Sequence, residues 1–264
     1  MIKLVITDMD GTLLNDQHEI HPDFWEIEEK LLDKNILVAV ASGRQYYNLI
    51  QQFDRLKNRM IFFAENGSYV VHQGKELYTD TMDRDQANVF INKGREAEGC
   101  NLVLCGVKSA YVENNDKAFT SEIKKFYERL EVVDDLTKVK DKILKVTLCN
   151  KNGVEKNTYP LFEEFKDDYK VAIASPIFID IMTKTANKGN AIHGVQKKLN
   201  ISPEETLVFG DYLNDLEMMQ NAKYSYAMKN AHPEIIKVSN YITDYDNNEN
   251  GVLRTIEKLG LLDD

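Results

Sequence analysis

The chain has 264 residues, enough to bury a real core as one large domain or two modest ones. A formal net charge of -10 argues against a nucleic-acid partner, because phosphate backbones are held mainly by Lys and Arg. It leaves room for a small phosphorylated ligand, since local cations and a metal can reverse the field inside one cleft. The longest apolar runs, such as Ile36 to Ala41, are strand-sized, so no membrane span is expected. The first residues lack a basic region followed by an apolar stretch, so no signal peptide is expected and the chain reads as soluble and cytoplasmic. Cys100, Cys105 and Cys149 are odd in number and form no CxxC, and they read as reduced, packed thiols.

Taken in order, Lys3 to Thr7 predicts a buried strand. Pro22 to Lys34 predicts a helix, with Pro near its start and Phe24, Ile27 and Leu31 spaced for one face. Ile36 to Ala41 is a second buried strand and Gln45 to Phe53 a second helix. Met60 to Ala64 and Tyr69 to His72 read as strands around a Glu-Asn-Gly turn. This alternation implies a parallel sheet built by right-handed crossovers. The middle changes character. Asp83 to Glu98 is helical, and strands are expected at Leu102 to Cys105, Ala110 to Glu113, Leu144 to Cys149, Val171 to Ala174 and Phe178 to Met182. Helices are expected at Thr120 to Leu130 and Val154 to Phe165. The βα rhythm resumes with a helix at Gly189 to Leu199, a strand at Thr206 to Phe209 and a helix at Asp215 to Asn221. A strand at Tyr224 to Met228, a polar loop at Asp244 to Asn250 and a helix at Gly251 to Leu259 complete the chain. The expected organisation is therefore an α/β core formed by residues 1–82 and 186–264, interrupted by an α+β insert at 83–185 with a mainly antiparallel sheet.

The residues that can do chemistry gather just after expected strands. Asp8-Met9-Asp10-Gly11-Thr12 follows the first strand, and two carboxylates that close repel unless a cation or a shared proton relieves them. Magnesium prefers hard oxygen ligands and meets that need. Ser42-Gly43-Arg44 follows the second strand and offers a hydroxyl, a glycine and N–H groups suited to an anion. Gly210-Asp211-Tyr212-Leu213-Asn214-Asp215 brings two more carboxylates and an amide to another strand end. Lys188 opens the first helix after the insert, where the helix dipole disfavours a cation and a bound anion would explain one. Parallel sheets bind ligands at the carboxyl edge of their strands, so these segments converge on one cleft.

With these motifs in hand, the chain resembles the haloacid dehalogenase-like superfamily, in its Cof-type phosphatase branch. The resemblance runs from Asp8-Met9-Asp10-Gly11-Thr12-Leu13-Leu14 through Ala41-Ser42-Gly43-Arg44, Glu65-Asn66-Gly67 and Lys188-Gly189. It continues in Gly210-Asp211 with Asn214-Asp215, in Ala227-Met228-Lys229-Asn230-Ala231 and in Glu249-Asn250-Gly251-Val252. It implies a Rossmann-like core with an inserted cap and a magnesium-dependent phosphatase acting on a small phosphorylated metabolite such as a sugar phosphate. By the same resemblance Asp8 is the nucleophile and Asp10 the general acid and base. Ser42, Gly43, Lys188 and Asn214 hold the phosphoryl group. Mg2+ is held by the Asp8 carboxylate, the Asp10 main-chain carbonyl and Asp211, with Asp215 binding directly or through water. Asn187 stands where relatives often carry Ser, and Ser42 where many carry Thr. A phosphomutase using the same aspartyl-phosphate chemistry and a non-catalytic phosphosugar-binding regulator are the alternatives, and the oligomeric state stays open.

Overall fold

The computed structural model describes residues 1–263. Its first elements are β1 (Leu4–Asp8), α1 (Phe24–Asp33), β2 (Leu37–Ala41), α2 (Tyr46–Gln52), β3 (Ile61–Ala64), β4 (Tyr69–His72) and β5 (Lys75–Thr79). There follow α3 (Arg84–Glu96), β6 (Cys100–Gly106), β7 (Ala110–Val112), α4 (Lys117–Ile123), β8 (Leu130–Val132) and β9 (Ile143–Asn150). Next come α5 (Val154–Asn157), α6 (Tyr159–Phe162), β10 (Tyr169–Ser175) and β11 (Phe178–Thr183). The last are α7 (Lys188–Leu199), β12 (Thr206–Gly210), α8 (Leu216–Gln220), β13 (Tyr224–Ala227), α9 (Pro233–Val238), β14 (Tyr241–Ile242) and α10 (Gly251–Lys258). Among the described residues no helix is long and apolar enough to cross a membrane.

The chain divides into two compact units, Met1–Thr79 with Asn187–Asp264, and Asp80–Ala186. The first is a mixed α/β unit around an eight-stranded sheet in the order β14-β13-β12-β1-β2-β3-β4-β5. The strands from β14 to β3 run parallel, as the alternating pattern requires. Every residue of β1 is buried, the state of a central strand covered on both faces. In α1 the spacing of Phe24, Ile27 and Leu31 does bury one face against this sheet. β4 and β5 depart from the parallel pattern and add an antiparallel meander at one edge. β5 was not foreseen because its sequence, KELYT, lies half exposed and lacks an apolar alternation. The turn into it is nevertheless a two-residue hairpin, with Gln73 at φ 51° and Gly74 at φ 70°.

The second unit holds a six-stranded sheet in the order β10-β11-β9-β6-β7-β8, antiparallel except for the β7–β8 pair. Period-two alternation splits β6 between two cores: Leu102 and Leu104 join Phe90 and Ile91 of α3, while Val103 and Cys105 join Phe119, Ile123 and Tyr127. The expected helix from Thr120 to Leu130 requires correction, since α4 ends at Ile123 and Leu130 opens β8. Phe119, Ile123 and Tyr127 stand four residues apart and all join one buried cluster. Turns closed by Phe126 and Tyr127 N–H groups on the Ile123 carbonyl keep Tyr127 inward after the regular helix stops. Cys105 and Cys149 are buried, Cys100 is half-buried, and none of the three forms a disulfide among the described residues. Burial pushes the Cys100 thiol up to about 12 and raises Cys149, which leaves both unreactive.

Candidate active site

Two features of the first sheet decide where a ligand can sit. β1 lies beside β12, and the chain builds outward from this pair in opposite directions, through β2 and β3 on one side and β13 and β14 on the other. That is the topological switch point, where adjacent loops diverge and leave a crevice at the strands' carboxyl ends. Asp8 is the last residue of β1, and Asp211 follows the last residue of β12.

At this point one carboxylate oxygen each from Asp8, Asp211 and Asp215 lie within 4.8 Å of one another. Lys188 sits among them. Its Nζ donates to Asp8 Oδ1 at 2.5 Å and to Asp215 Oδ1 at 2.6 Å, and the residue is 0% exposed. Two local features put it there. Asn187 Oδ1 caps α7 by accepting from the Asn190 N–H at 2.8 Å, so Asn here does the capping that a Ser would do. Gly189 lets the start of α7 press on α8, where an added Cβ would lie 2.5 Å from the Glu217 carbonyl oxygen. Asp215 Oδ2 accepts from the N–H groups of Asp211 and Tyr212 at 3.0 and 3.3 Å, which folds the loop after β12 around it. Asp211 Oδ1 accepts from Thr12 Oγ1 at 2.9 Å. Gly11 has φ +81°, and a Cβ there would fall 2.4 Å from Asp211 Oδ2, so the turn after β1 admits that carboxylate only because the residue is glycine.

The electrostatics follow from burial. Removal from water raises the Asp8 carboxyl well above the usual range; Lys188 opposes this, and Asp215 and Asp211 add to it. Burial, then the Asp215 charge, pushes Asp211 up to about 6 against the Thr12 hydrogen bond. Burial alone would lower Lys188, but Asp215 and Asp8 outweigh it and hold the ammonium charged. One ammonium cannot neutralise three carboxylates. The remaining negative charge and the hard oxygen donors suit a small divalent cation such as Mg2+.

The other residues singled out from sequence form two further groups. The Asp10 carboxylate stands apart from the acidic trio. It accepts from Arg44 Nη2 at 2.5 Å and Arg44 Nε at 3.2 Å, and His18 Nδ1 lies 3.2 Å from its Oδ1. Ser42, Gly43 and Asn214 are joined through Asn66. Asn66 Oδ1 accepts from Asn214 Nδ2 at 3.2 Å, its N–H donates to the Ser42 carbonyl, and its amide lies against Gly43. Ser42 Oγ accepts from the Arg44 N–H at 3.2 Å. Glu65, Asn66 and Gly67 all have positive φ, at 50°, 55° and 92°. Glycine takes this conformation freely, but Glu65 and Asn66 do so at a cost, and a strained turn of this kind marks a place where side-chain direction matters. Arg44, Thr12, His18 and Asn66 were not among the site residues picked from sequence. The Asn-Gly pair after β3 signalled the turn, but nothing in it signalled where the Asn side chain points.

Residues 5–256 match the family model of haloacid dehalogenase-like hydrolases. A 5-amino-6-(5-phospho-D-ribitylamino)uracil phosphatase of Escherichia coli is 32% identical, covering 98% of this chain and 96% of its own. A phosphatase of Bacillus subtilis is 24% identical over 98% of this chain and all of its own. A crystal structure from Thermotoga maritima superposes with a TM-score of 0.87 at 26% identity, covering 98% of this chain and 97% of that one. A subclass IIB sugar phosphatase of the same superfamily, at 20% identity and a TM-score of 0.78, shares the fold over 98% of this chain and 99% of its own. The chain belongs to the haloacid dehalogenase-like hydrolases.

Proposed function

We propose that the protein is a cytoplasmic, magnesium-dependent phosphatase of small phosphate monoesters, sugar and polyol phosphates first among them. The observation that carries this reading is the cluster of buried Asp8 and Asp215 with half-buried Asp211 at the switch point, where Lys188 bonds Asp8 and Asp215. A carboxylate attacking a phosphate dianion meets charge repulsion, which Lys188 and a divalent cation held by these acidic residues would reduce. The Escherichia coli relative, named for a phosphate on a ribityl chain, supports the choice of substrate class.

In this reading Asp8 attacks phosphorus and becomes an aspartyl-phosphate, while Asp10 gives a proton to the departing alkoxide. Water then attacks the same phosphorus, Asp10 takes up the water's proton, and Asp8 is regenerated with inorganic phosphate. Lys188, Ser42, Gly43 and Asn214 hold the phosphoryl oxygens. Asp8, Asp211 and the main-chain carbonyl of Asp10 would hold Mg2+. Asp215 already spends its oxygens on Lys188 and two main-chain N–H groups, so its part is indirect. Bound there, the ion supplies charge compensation for the phosphoryl oxygens. Residues 1–82 and 186–264 carry the chemistry in this scheme. Residues 83–185 are the cap that sets specificity. Purified protein with MgCl2 should release phosphate from members of a panel of sugar, polyol and nucleotide phosphates. Silence across the whole panel would defeat the proposal.

The acidic cluster also sets a pH dependence. The folded protein binds the Asp211 proton more tightly than the unfolded chain does, where a carboxylate titrates at about 4. In metal-free buffer this contribution to stability is present below about pH 4 and lost as the pH rises through about 6. Mg2+ needs the ionised form, so its stabilising effect grows over the same window. Excess MgCl2 is expected to raise the thermal midpoint distinctly more at about pH 7.5 than at about pH 5. Equal shifts at both pH values would count against Asp211 as a ligand.

A further inference from the structure

The contacts of Asp10 distinguish its two oxygens. Oδ1 receives Arg44 Nη2 at 2.5 Å and faces His18 Nδ1 at 3.2 Å, which takes its second lone pair when that nitrogen carries the hydrogen. Among the described residues Oδ2 receives only Arg44 Nε, at 3.2 Å, which leaves a lone pair for another partner. The guanidinium is itself steadied, since its Nη1 donates to Gln52 Oε1 at 3.1 Å, one helix length further along. The Arg44 N–H is tied as well, to Ser42 Oγ. A planar fork gripping both oxygens of a carboxylate fixes its plane as well as its place, which a single ammonium cannot do. The pair is also substantially exposed, with Arg44 at 34% and the Asp10 side chain at 46%. Ion pairs in that setting add little to stability, so a stabilising role does not account for the geometry.

We infer that Arg44 is a positioning residue for acid–base catalysis. It locks the plane of the Asp10 carboxylate, occupies Oδ1 together with His18, and leaves Oδ2 as the atom that carries the proton. The inference rests on the reading of Asp10 as the general acid. The first step then balances as follows: an Asp8 oxygen bonds to phosphorus, the phosphorus–oxygen bond to the leaving group breaks, and the Oδ2 proton passes to the leaving oxygen, releasing an alcohol. In the second step water bonds to phosphorus, the bond to Asp8 breaks, and the water's proton goes to Oδ2.

The step that Arg44 serves matters for poor leaving groups and hardly at all for good ones. This gives a readout that a general loss of fold or of phosphate binding would not produce. The test compares kcat/KM, which reports the first phosphoryl transfer, on two substrates: ribose 5-phosphate, an alkyl ester, and p-nitrophenyl phosphate, whose phenolate departs unprotonated. Arg44→Ala is expected to lower kcat/KM on the alkyl ester by roughly 10- to 100-fold and on the aryl ester by only a few-fold. Arg44→Lys should recover only part of the loss, because it restores charge without the fork. Adding Arg44→Ala to Asp10→Asn should cost nothing further on the alkyl ester. Asp10→Asn alone separates the two claims. If it falls selectively on the alkyl ester while Arg44→Ala falls equally on both, the inference about Arg44 is wrong and Asp10 remains the acid. If Asp10→Asn itself falls equally on both esters, the acid assignment fails and the inference goes with it.

Discussion

Asp8→Asn is expected to lower phosphate release by about 10³-fold or more while making the metal-free protein more stable. The two halves of this result have one cause. Asp8 is buried beside Asp215 and Asp211, and its carboxyl is raised well above the usual range because the site disfavours its charge. Asparagine keeps the shape and can still accept from Lys188, but it removes one of three crowded negative charges. A site arranged to present a reactive carboxylate is strained at rest, and relieving the strain removes the reaction. Parallel assays of turnover and thermal midpoint in EDTA-treated buffer check both halves. A variant that lost activity and stability together would show Asp8 to be a structural anchor.

Lys188→Met should have the opposite effect on stability. Lys188 is wholly buried, and its ammonium is the shared partner of Asp8 and Asp215. Methionine preserves much of the stem and leaves two buried carboxylates facing each other. Removing one partner of a buried ion pair typically costs about 3–5 kcal/mol. Part of that loss should return as the pH is lowered, since protonation of the carboxylates replaces the missing cation. It should also return in Lys188→Met with Asp215→Asn, which removes one of the stranded charges. Urea unfolding at two pH values reads the effect directly. A shift under about 1 kcal/mol at neutral pH would mean that Lys188 does not hold the trio together.

Much of the site could be read before any coordinates. The first unit's sheet follows from short apolar runs alternating with amphipathic helices. Strand ends in such a sheet carry ligands, so Asp8, Ser42 and Asp211 could be placed by counting. Lys188 shows where that reasoning reaches its limit. A Lys at a helix start is ordinarily solvated, and only the acidic residues brought in from the end of β1 and from beyond β12, 180 and 27 positions away in sequence, make its burial favourable. The burial could not be read from α7 alone. Gly189 was visible, but its reason, the Glu217 carbonyl 2.5 Å from a would-be Cβ, lies in another helix. Asp10 is a subtler case. Sequence placed it beside Asp8, yet its side chain turns to Arg44 and His18, because side chains in a turn need not share one direction. β8, α9 and β14 escaped notice because three-, six- and two-residue elements carry too little periodicity to register.

The central claim is that Asp8 carries the phosphoryl group. It is tested most directly by quenching the enzyme in acid during turnover of a sugar phosphate, treating the denatured protein with borohydride, and sequencing the peptides by mass spectrometry. An acyl phosphate on Asp8 would be reduced to homoserine at that position alone, in wild type and not in protein quenched before substrate is added. Steady phosphate release with Asp8 unmodified, or with the label on another residue, would contradict the account.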